Sequence, residues 1–304
     1  MKIENVDFYY FSGTGNTLLV VEKMEETFKK NGVEVKLHPI ERSDPENVNL
    51  HHTLGLAFPV AGLSTYPFVW EFIESLPPAD GTPVFMVDTL AGYSGGIVGP
   101  LHKKLIKKGY VPQGACEIIM PSNIFYIQSK KSRSKLIKKG VKKAERYAQV
   151  LMDGRTKWGS FPVLPSVLHA FGISIMSLWE LKSQQKWFGF RAKNSECNQC
   201  GICAQICPLN NIIMKEYPVY KCKCQFCMRC VSFCPKNAIP CKVNYKGKTH
   251  QAVKVKKFIN GNKSIINDEI DDEINHNLGK SHADGKYETE DLKIGIKLQN
   301  KNLK

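Results

Sequence analysis

The chain has 304 residues, 42% of them apolar and 23% charged, which supports a packed core and excludes wholesale disorder. Lys and Arg exceed Asp and Glu by 15, a balance that points to nucleic acid, an anionic membrane or an acidic protein. Eleven cysteines are too sparse for a disulfide scaffold, and no apolar run reaches the ~20 residues that span a bilayer.

The excess charge is uneven. Residues 1–100 sum to −7, residues 101–157 and 158–259 to +12 each, and residues 260–304 to −2. No signal-like segment precedes the first strand-like run, so a cytoplasmic protein with reduced thiols is expected.

In chain order, Val6–Phe11 reads as a strand and Leu18–Lys30 as a helix with apolar Leu18, Val21, Met24 and Phe28 on one face. Val33–Leu37 is a short strand. Leu54–Phe58 and Val84–Val87 are continuous apolar runs, the pattern of strands buried on both faces. Helices are expected over Pro67–Leu76, Gly96–Lys108 and Lys130–Met152, with a fifth strand over Ala115–Met120. This alternation predicts an α/β fold, a doubly wound parallel five-stranded sheet over residues 1–155. Residues 156–192 read as a linker with an apolar helix, Val167–Leu181, suited to domain packing or, as the less favoured alternative, to a membrane surface. Residues 193–245 hold most of the cysteines. Residues 246–304 are polar and expected to be loosely ordered.

Between the first strand and helix lies Ser12-Gly13-Thr14-Gly15-Asn16-Thr17. A loop feeding a helix N-terminus offers unpaired backbone N–H groups, glycines let it curl around an anion, and three hydroxyls add donors. No Gly-Lys-Ser/Thr follows, which excludes the ATP-type loop, and Leu18 stands where a dinucleotide fingerprint needs its third glycine. The loop resembles the FMN-phosphate loop of flavodoxins. The resemblance implies FMN, its phosphate held by Ser12, Gly13, Thr14, Gly15, Asn16 and Thr17. Its ring would lie against two later loops: Pro59, Val60, Ala61 and Gly62, then Thr89, Leu90, Ala91, Gly92, Tyr93, Gly95 and Gly96. Where flavodoxins often stack an aromatic on the flavin, Ala61 stands here; Tyr93 and Tyr66 are the substitutes at hand.

Cys197-x2-Cys200-x2-Cys203-x3-Cys207-Pro208 is followed by Cys224-x2-Cys227-x2-Cys230-x3-Cys234-Pro235. The pattern is that of bacterial bicluster ferredoxins, written twice; in it the fourth cysteine of each run serves the other cluster. On that rule Cys197, Cys200, Cys203 and Cys234 hold one [4Fe–4S] cluster, and Cys224, Cys227, Cys230 and Cys207 hold the second. Structural zinc, the main rival, takes its ligands as separated pairs. A small α+β domain is expected, with short helices after each Cys-Pro (Asn210–Met214 and Asn237–Ile239). Ile202, Ile206, Ile212, Val231, Phe233 and Ile239 would form its apolar shell. Cys222 reads as a spare thiol, Cys241 as incidental and Cys116 as a core residue.

A flavodoxin-like domain followed by a bicluster ferredoxin resembles the EFR1 family of fused proteins, over about residues 1–245. The resemblance implies an electron-transfer iron–sulfur flavoprotein of anaerobic life, relaying electrons between FMN and the clusters and on to a redox partner. The basic, aromatic motif expected after the clusters is not clear in the tail. The alternative is a flavin-dependent reductase of a quinone or nitroaromatic, with the clusters as input; no acid/base pair can be named for it. The partner expected is a protein with an acidic docking surface. A homodimer stays open, and nucleic acid is excluded for want of any reading motif.

Overall fold

The computed structural model describes residues 3–92, 96–158, 190–241 and 249–259. Five strands form one parallel sheet: β1 (Asn5–Tyr10), β2 (Glu34–Pro39), β3 (Thr53–Pro59), β4 (Pro83–Leu90) and β5 (Val111–Ile119). Their order is β2-β1-β3-β4-β5. This is the doubly wound, flavodoxin-like order, with its switch point between β1 and β3. Burial follows position. Every residue of β4 is buried, whereas the edge strand β5 alternates and leaves Val111, Glu117 and Ile119 exposed.

Side-chain alternation divides the core into two layers. Tyr9, Leu56 and Met86 face one side, against α2 (Pro67–Ser75) and α3 (Val98–Lys107). Phe8, Ala57, Val87 and Cys116 face the other, against α1 (Asn16–Lys30) and α4 (Lys130–Met152), which lie side by side. Strand register brings the carboxyl ends together: Tyr10 pairs with Ala57, Phe58 with Asp88, and Thr89 with Ile118. These ends are where open α/β sheets bind ligands.

Most elements fall within a residue or two of expectation, but β5 begins four residues early. Val111 pairs with Pro83, and an irregularity between Val84 and Phe85 lets the turn-like Gln113-Gly114 stay in the sheet.

The cysteine-rich segment packs with the sheet in one unit, Met1–Asn260. It holds α5 (Ile202–Gln205), an antiparallel hairpin of β6 (Ile212–Met214) and β7 (Pro218–Tyr220), and α6 (Arg229–Ser232). The helices expected after each Cys-Pro are therefore displaced. Asn210 and Asn237 take left-handed φ values of 47° and 49°, which stops a helix there, and the helical turn forms earlier, on the third cysteine.

Residues 249–259, grouped by composition with the loose tail, are docked on the body. Val255 and Phe258 are buried, Phe258 lies edge-on to Phe233 at 5.2 Å, and α7 (Lys256–Ile259) ends the segment. The apolar stretch Val167–Leu181 and residues 260–304 lie outside the described residues. Among the described residues no helix is long and apolar enough to cross a membrane.

Candidate functional site

The two cysteine runs repeat every 27 residues, and the backbone repeats with them. Left-handed residues recur at Gln199 and Phe226, at Gly201 and Met228, and at Asn210 and Asn237. Non-glycine residues rarely hold positive φ, at about 1–3 kcal/mol each, so five of them in matched places mark a conformation that the surroundings impose. The sulfur environment repeats too: Asn211 N–H donates to Cys207 Sγ at 3.3 Å, and Ala238 N–H to Cys234 Sγ at 3.3 Å.

Each run closes on a chamber that the other completes. One chamber is lined by Cys197, Cys200, Cys203 and Cys234. The other is lined by Cys224, Cys227, Cys230 and Cys207. All six apolar shell residues named from the sequence are buried. Burial pushes the Cys224 thiol up to about 11 and those of Cys203 and Cys227 up to about 12, and it raises the Cys230 thiol well above its ordinary value. Among the described residues no three His, Cys, Asp or Glu side chains close on a point that could hold a single metal ion. The sulfurs ring a chamber instead. Cys222 is exposed, and Cys241 and Cys116 are buried.

The second run is seated on the sheet's ligand end. Arg229, between Met228 and Cys230, is 2% exposed. Its Nη1 pairs with Glu41 Oε1 at 2.8 Å and donates to the Ile206 carbonyl at 3.1 Å, while Nη2 donates to the Ser12 carbonyl at 2.6 Å. Its guanidinium lies over the rings of Phe11 and Phe258, 5.1 and 4.4 Å from their centroids. Phe68 N–H donates to Gln225 Oε1, a second bond from sheet domain to cysteine run. None of these contacts was named from the sequence. The one available signal was asymmetry: Arg229 stands where the first run has Ile202.

The phosphate-type loop lies beneath this seat. Ser12, Thr14 and Thr17 are only 1–2% exposed. Ser12 Oγ accepts from the N–H groups of Gly15, the N-cap of α1, and of Leu18 in its first turn. Thr17 Oγ1 bonds Thr89 Oγ1, Asn123 Nδ2 donates to Thr14 Oγ1, and Asn16 Nδ2 donates to the Pro121 carbonyl. Gly13 cannot carry a Cβ, which would strike the Cys227 carbonyl. At Gly15, with φ 100°, a Cβ would stand 2.6 Å from a Val253 methyl. The residue types suit a phosphate, and the chain itself lies against both glycines, the Cys227 carbonyl at Gly13 and Val253 at Gly15.

The two ring loops are joined by Val60 N–H donating to the Thr89 carbonyl at 2.8 Å. Pro59, Val60 and Ala61 are half-buried, Gly62, Ala91 and Gly92 exposed, and Leu90 buried. Gly96 is half-buried, and Tyr93 and Gly95 lie outside the described residues. Tyr66 is buried, edge-on to Phe11 at 5.2 Å.

His250 fastens the segment 249–259 to the loop. Its Nε2 lies 2.9 Å from Asn16 Oδ1 and its Nδ1 3.4 Å from Arg133 Nη1. Nε2–H therefore donates to the amide oxygen, and the bare Nδ1 faces the guanidinium. Burial, and then the Arg133 charge, lower its pKa to about 4. A histidine depressed from 6.5 contributes stability that is complete above pH 6.5 and drains away as pH falls towards 4. The loss expected by pH 4 is on the order of 3 kcal/mol. Amide exchange at residues 250–253, corrected for its intrinsic pH dependence, should quicken across that window and do so less in His250→Gln. A rate that is flat with pH in the parent protein would contradict this.

No family model and no curated protein matches the sequence. Among solved structures, the flavodoxin of Streptococcus pneumonia TIGR4 is similar at 15% identity over 49% of this chain and 98% of that one, with a TM-score of 0.38. Flavodoxin 2 of Bacillus cereus is similar at 16% identity over 49% and 98%, also with a TM-score of 0.38. The rubredoxin oxygen:oxidoreductase of the anaerobe Desulfovibrio gigas matches at 13% identity over 50% of this chain and 38% of its own, with a TM-score of 0.32. The fold assignment rests on the strand order and pairing above.

Proposed function

We propose that this chain is an electron-transfer protein carrying two [4Fe–4S] clusters, one in each four-cysteine chamber, on a flavodoxin-like domain. The observation that carries the proposal is the exchange of fourth cysteines: Cys234 lines the chamber of the first run and Cys207 that of the second. Four cysteine thiols to a chamber, three from one tight loop and one from the other run, are the donor set of an iron–sulfur cluster.

In that reading Cys197, Cys200, Cys203 and Cys234 hold one cluster, and Cys224, Cys227, Cys230 and Cys207 the other. Bound there, the clusters supply one-electron redox chemistry. The chain's own contribution is insulation and tuning. Ile202, Ile206, Val231 and Ile239 keep water away, and the N–H groups of Asn211 and Ala238 bond to ligand sulfurs, which stabilises the more negative state.

The flavodoxin-like fold and the loop's residue types favour an FMN-binding role, with Ser12, Gly13, Thr14, Gly15, Asn16 and Thr17 as the residues that would hold its phosphate. Along α4, Lys131, Lys135, Lys138, Lys142 and Arg146 are exposed. They support an acidic protein partner in the cytoplasm, an attraction that rising ionic strength should weaken.

Protein purified without oxygen is expected to contain about eight iron and about eight acid-labile sulfide per chain. Stoichiometric zinc, or iron without sulfide, overturns the proposal.

A further inference from the structure

The loop Ser12–Thr17 is covered by three parts of the chain that come from far along the sequence. From the second cysteine run, Arg229 bonds the Ser12 carbonyl, and the Cys227 carbonyl sits against the bare face of Gly13. From the connection between β5 and α4, Asn123 reaches Thr14. From the segment 249–259, Ala252 N–H donates to the Thr14 carbonyl at 2.8 Å, and Val253 lies over Gly15.

Part of what would draw a phosphate is used. The helix N–H groups of Gly15 and Leu18 are taken by Ser12 Oγ, and the nearest guanidinium is spent on Glu41 and two carbonyls. A phosphate entering here would displace those bonds and lie against the Cys227 carbonyl oxygen, a repulsive neighbour in a buried place.

We infer that the Ser12–Thr17 loop is the seat that holds the cysteine-rich unit on the sheet, and that the docked unit and the phosphate of FMN are alternative occupants of it. The glycines that let a loop curl around an anion here let a backbone carbonyl and a valine approach instead. Flavin binding at this loop then requires the seat to be vacated, so the chain regulates access to its own fold's ligand end. The inference rests on the cysteine unit being the redox module proposed above, but it is read out separately.

The experiment is an anaerobic flavin titration of the full, cluster-loaded chain, followed by fluorescence, with FMN and with riboflavin, which lacks the phosphate. Arg229→Ala loosens the seat from the cysteine side. Val253→Gly loosens it from the opposite side without touching the cysteine unit, and serves if the first variant fails to fold. Each is expected to bind FMN at least about tenfold more tightly than the parent chain, with riboflavin binding unchanged. Hydrogen exchange should show the Gly15 and Leu18 amides protected in the flavin-free parent and less so in the variants. A parent chain that carries about one FMN alongside about eight iron overturns the inference, as do equal FMN affinities in all three proteins. The iron count reports on the clusters alone, so a shortfall there is distinguishable from a failure of the seat.

Discussion

Arg229→Ala is expected to lower the stability of the protein by about 3–5 kcal/mol, the cost of breaking a buried ion pair from one side. Glu41 would be left buried with a charge and no cation, and its second oxygen, Oε2, already has no hydrogen-bond partner among the described residues. The carbonyls of Ser12 and Ile206 would lose their donor, and the rings of Phe11 and Phe258 the plate between them. For a unit of this size the corresponding fall in melting temperature is roughly 6–20 °C. Arg229→Lys should recover little, because an ammonium cannot reach a carboxylate and two carbonyls while filling a flat gap between aromatic faces. Arg229→Met combined with Glu41→Gln removes both charges and should cost much less than either charge-breaking change. Thermal unfolding of the four proteins under anaerobic conditions decides it. A shift under about 1 °C for the alanine variant would mean that the seat carries none of the stability assigned to it.

The second large effect concerns which cysteines share a cluster. Cys234→Ser, although it lies in the second run, is expected to damage the same cluster as Cys197→Ser, while Cys207→Ser damages the other. In each single variant total iron should fall from about eight to about four or five per chain. The remaining cluster should keep its electron paramagnetic resonance signature, so the variants sort into two classes by the signal retained. If Cys234→Ser and Cys230→Ser lose the same signal, each run binds its own fourth cysteine and the exchange of ligands is wrong. Burial argues for a sharp result. Cys227 and Cys230 lie in an apolar shell, where a vacant or neutral ligand position is poorly tolerated.

Much of this protein was legible locally. Continuous apolar runs gave β3 and β4, and the i, i+3, i+4 spacing of Val21, Met24 and Phe28 gave α1 its buried face. The 27-residue repeat of Cys197–Cys207 in Cys224–Cys234 announced the paired folding of the two runs, because spacing along a chain sets which residues one tight loop can gather. The displaced short helices were not legible. Whether Asn210 and Asn237 continue a helix or turn left-handed depends on a choice that an asparagine allows either way.

The charge imbalance was a weaker guide. The acidic first third and the basic segment 158–259 do meet, through a buried pair, Arg229 with Glu41, a neutral bond, Gln225 with Phe68, and one surface pair, Lys257 with Glu22. The exposed lysines of α4 remain outside that contact.

By itself the sequence determined the five-stranded parallel sheet, the anion-type loop at its ligand end and the grouping of eight cysteines, since each depends on neighbours within a few tens of residues. Only the tertiary structure decided what occupies that loop. Arg229 meets Ser12, and Val253 meets Gly15, across more than two hundred residues of chain. No local periodicity records such a meeting. A loop of glycines and hydroxyls has the same residue types whether it receives a phosphate or a carbonyl oxygen, and which of the two it receives depends on the parts of the fold packed over it.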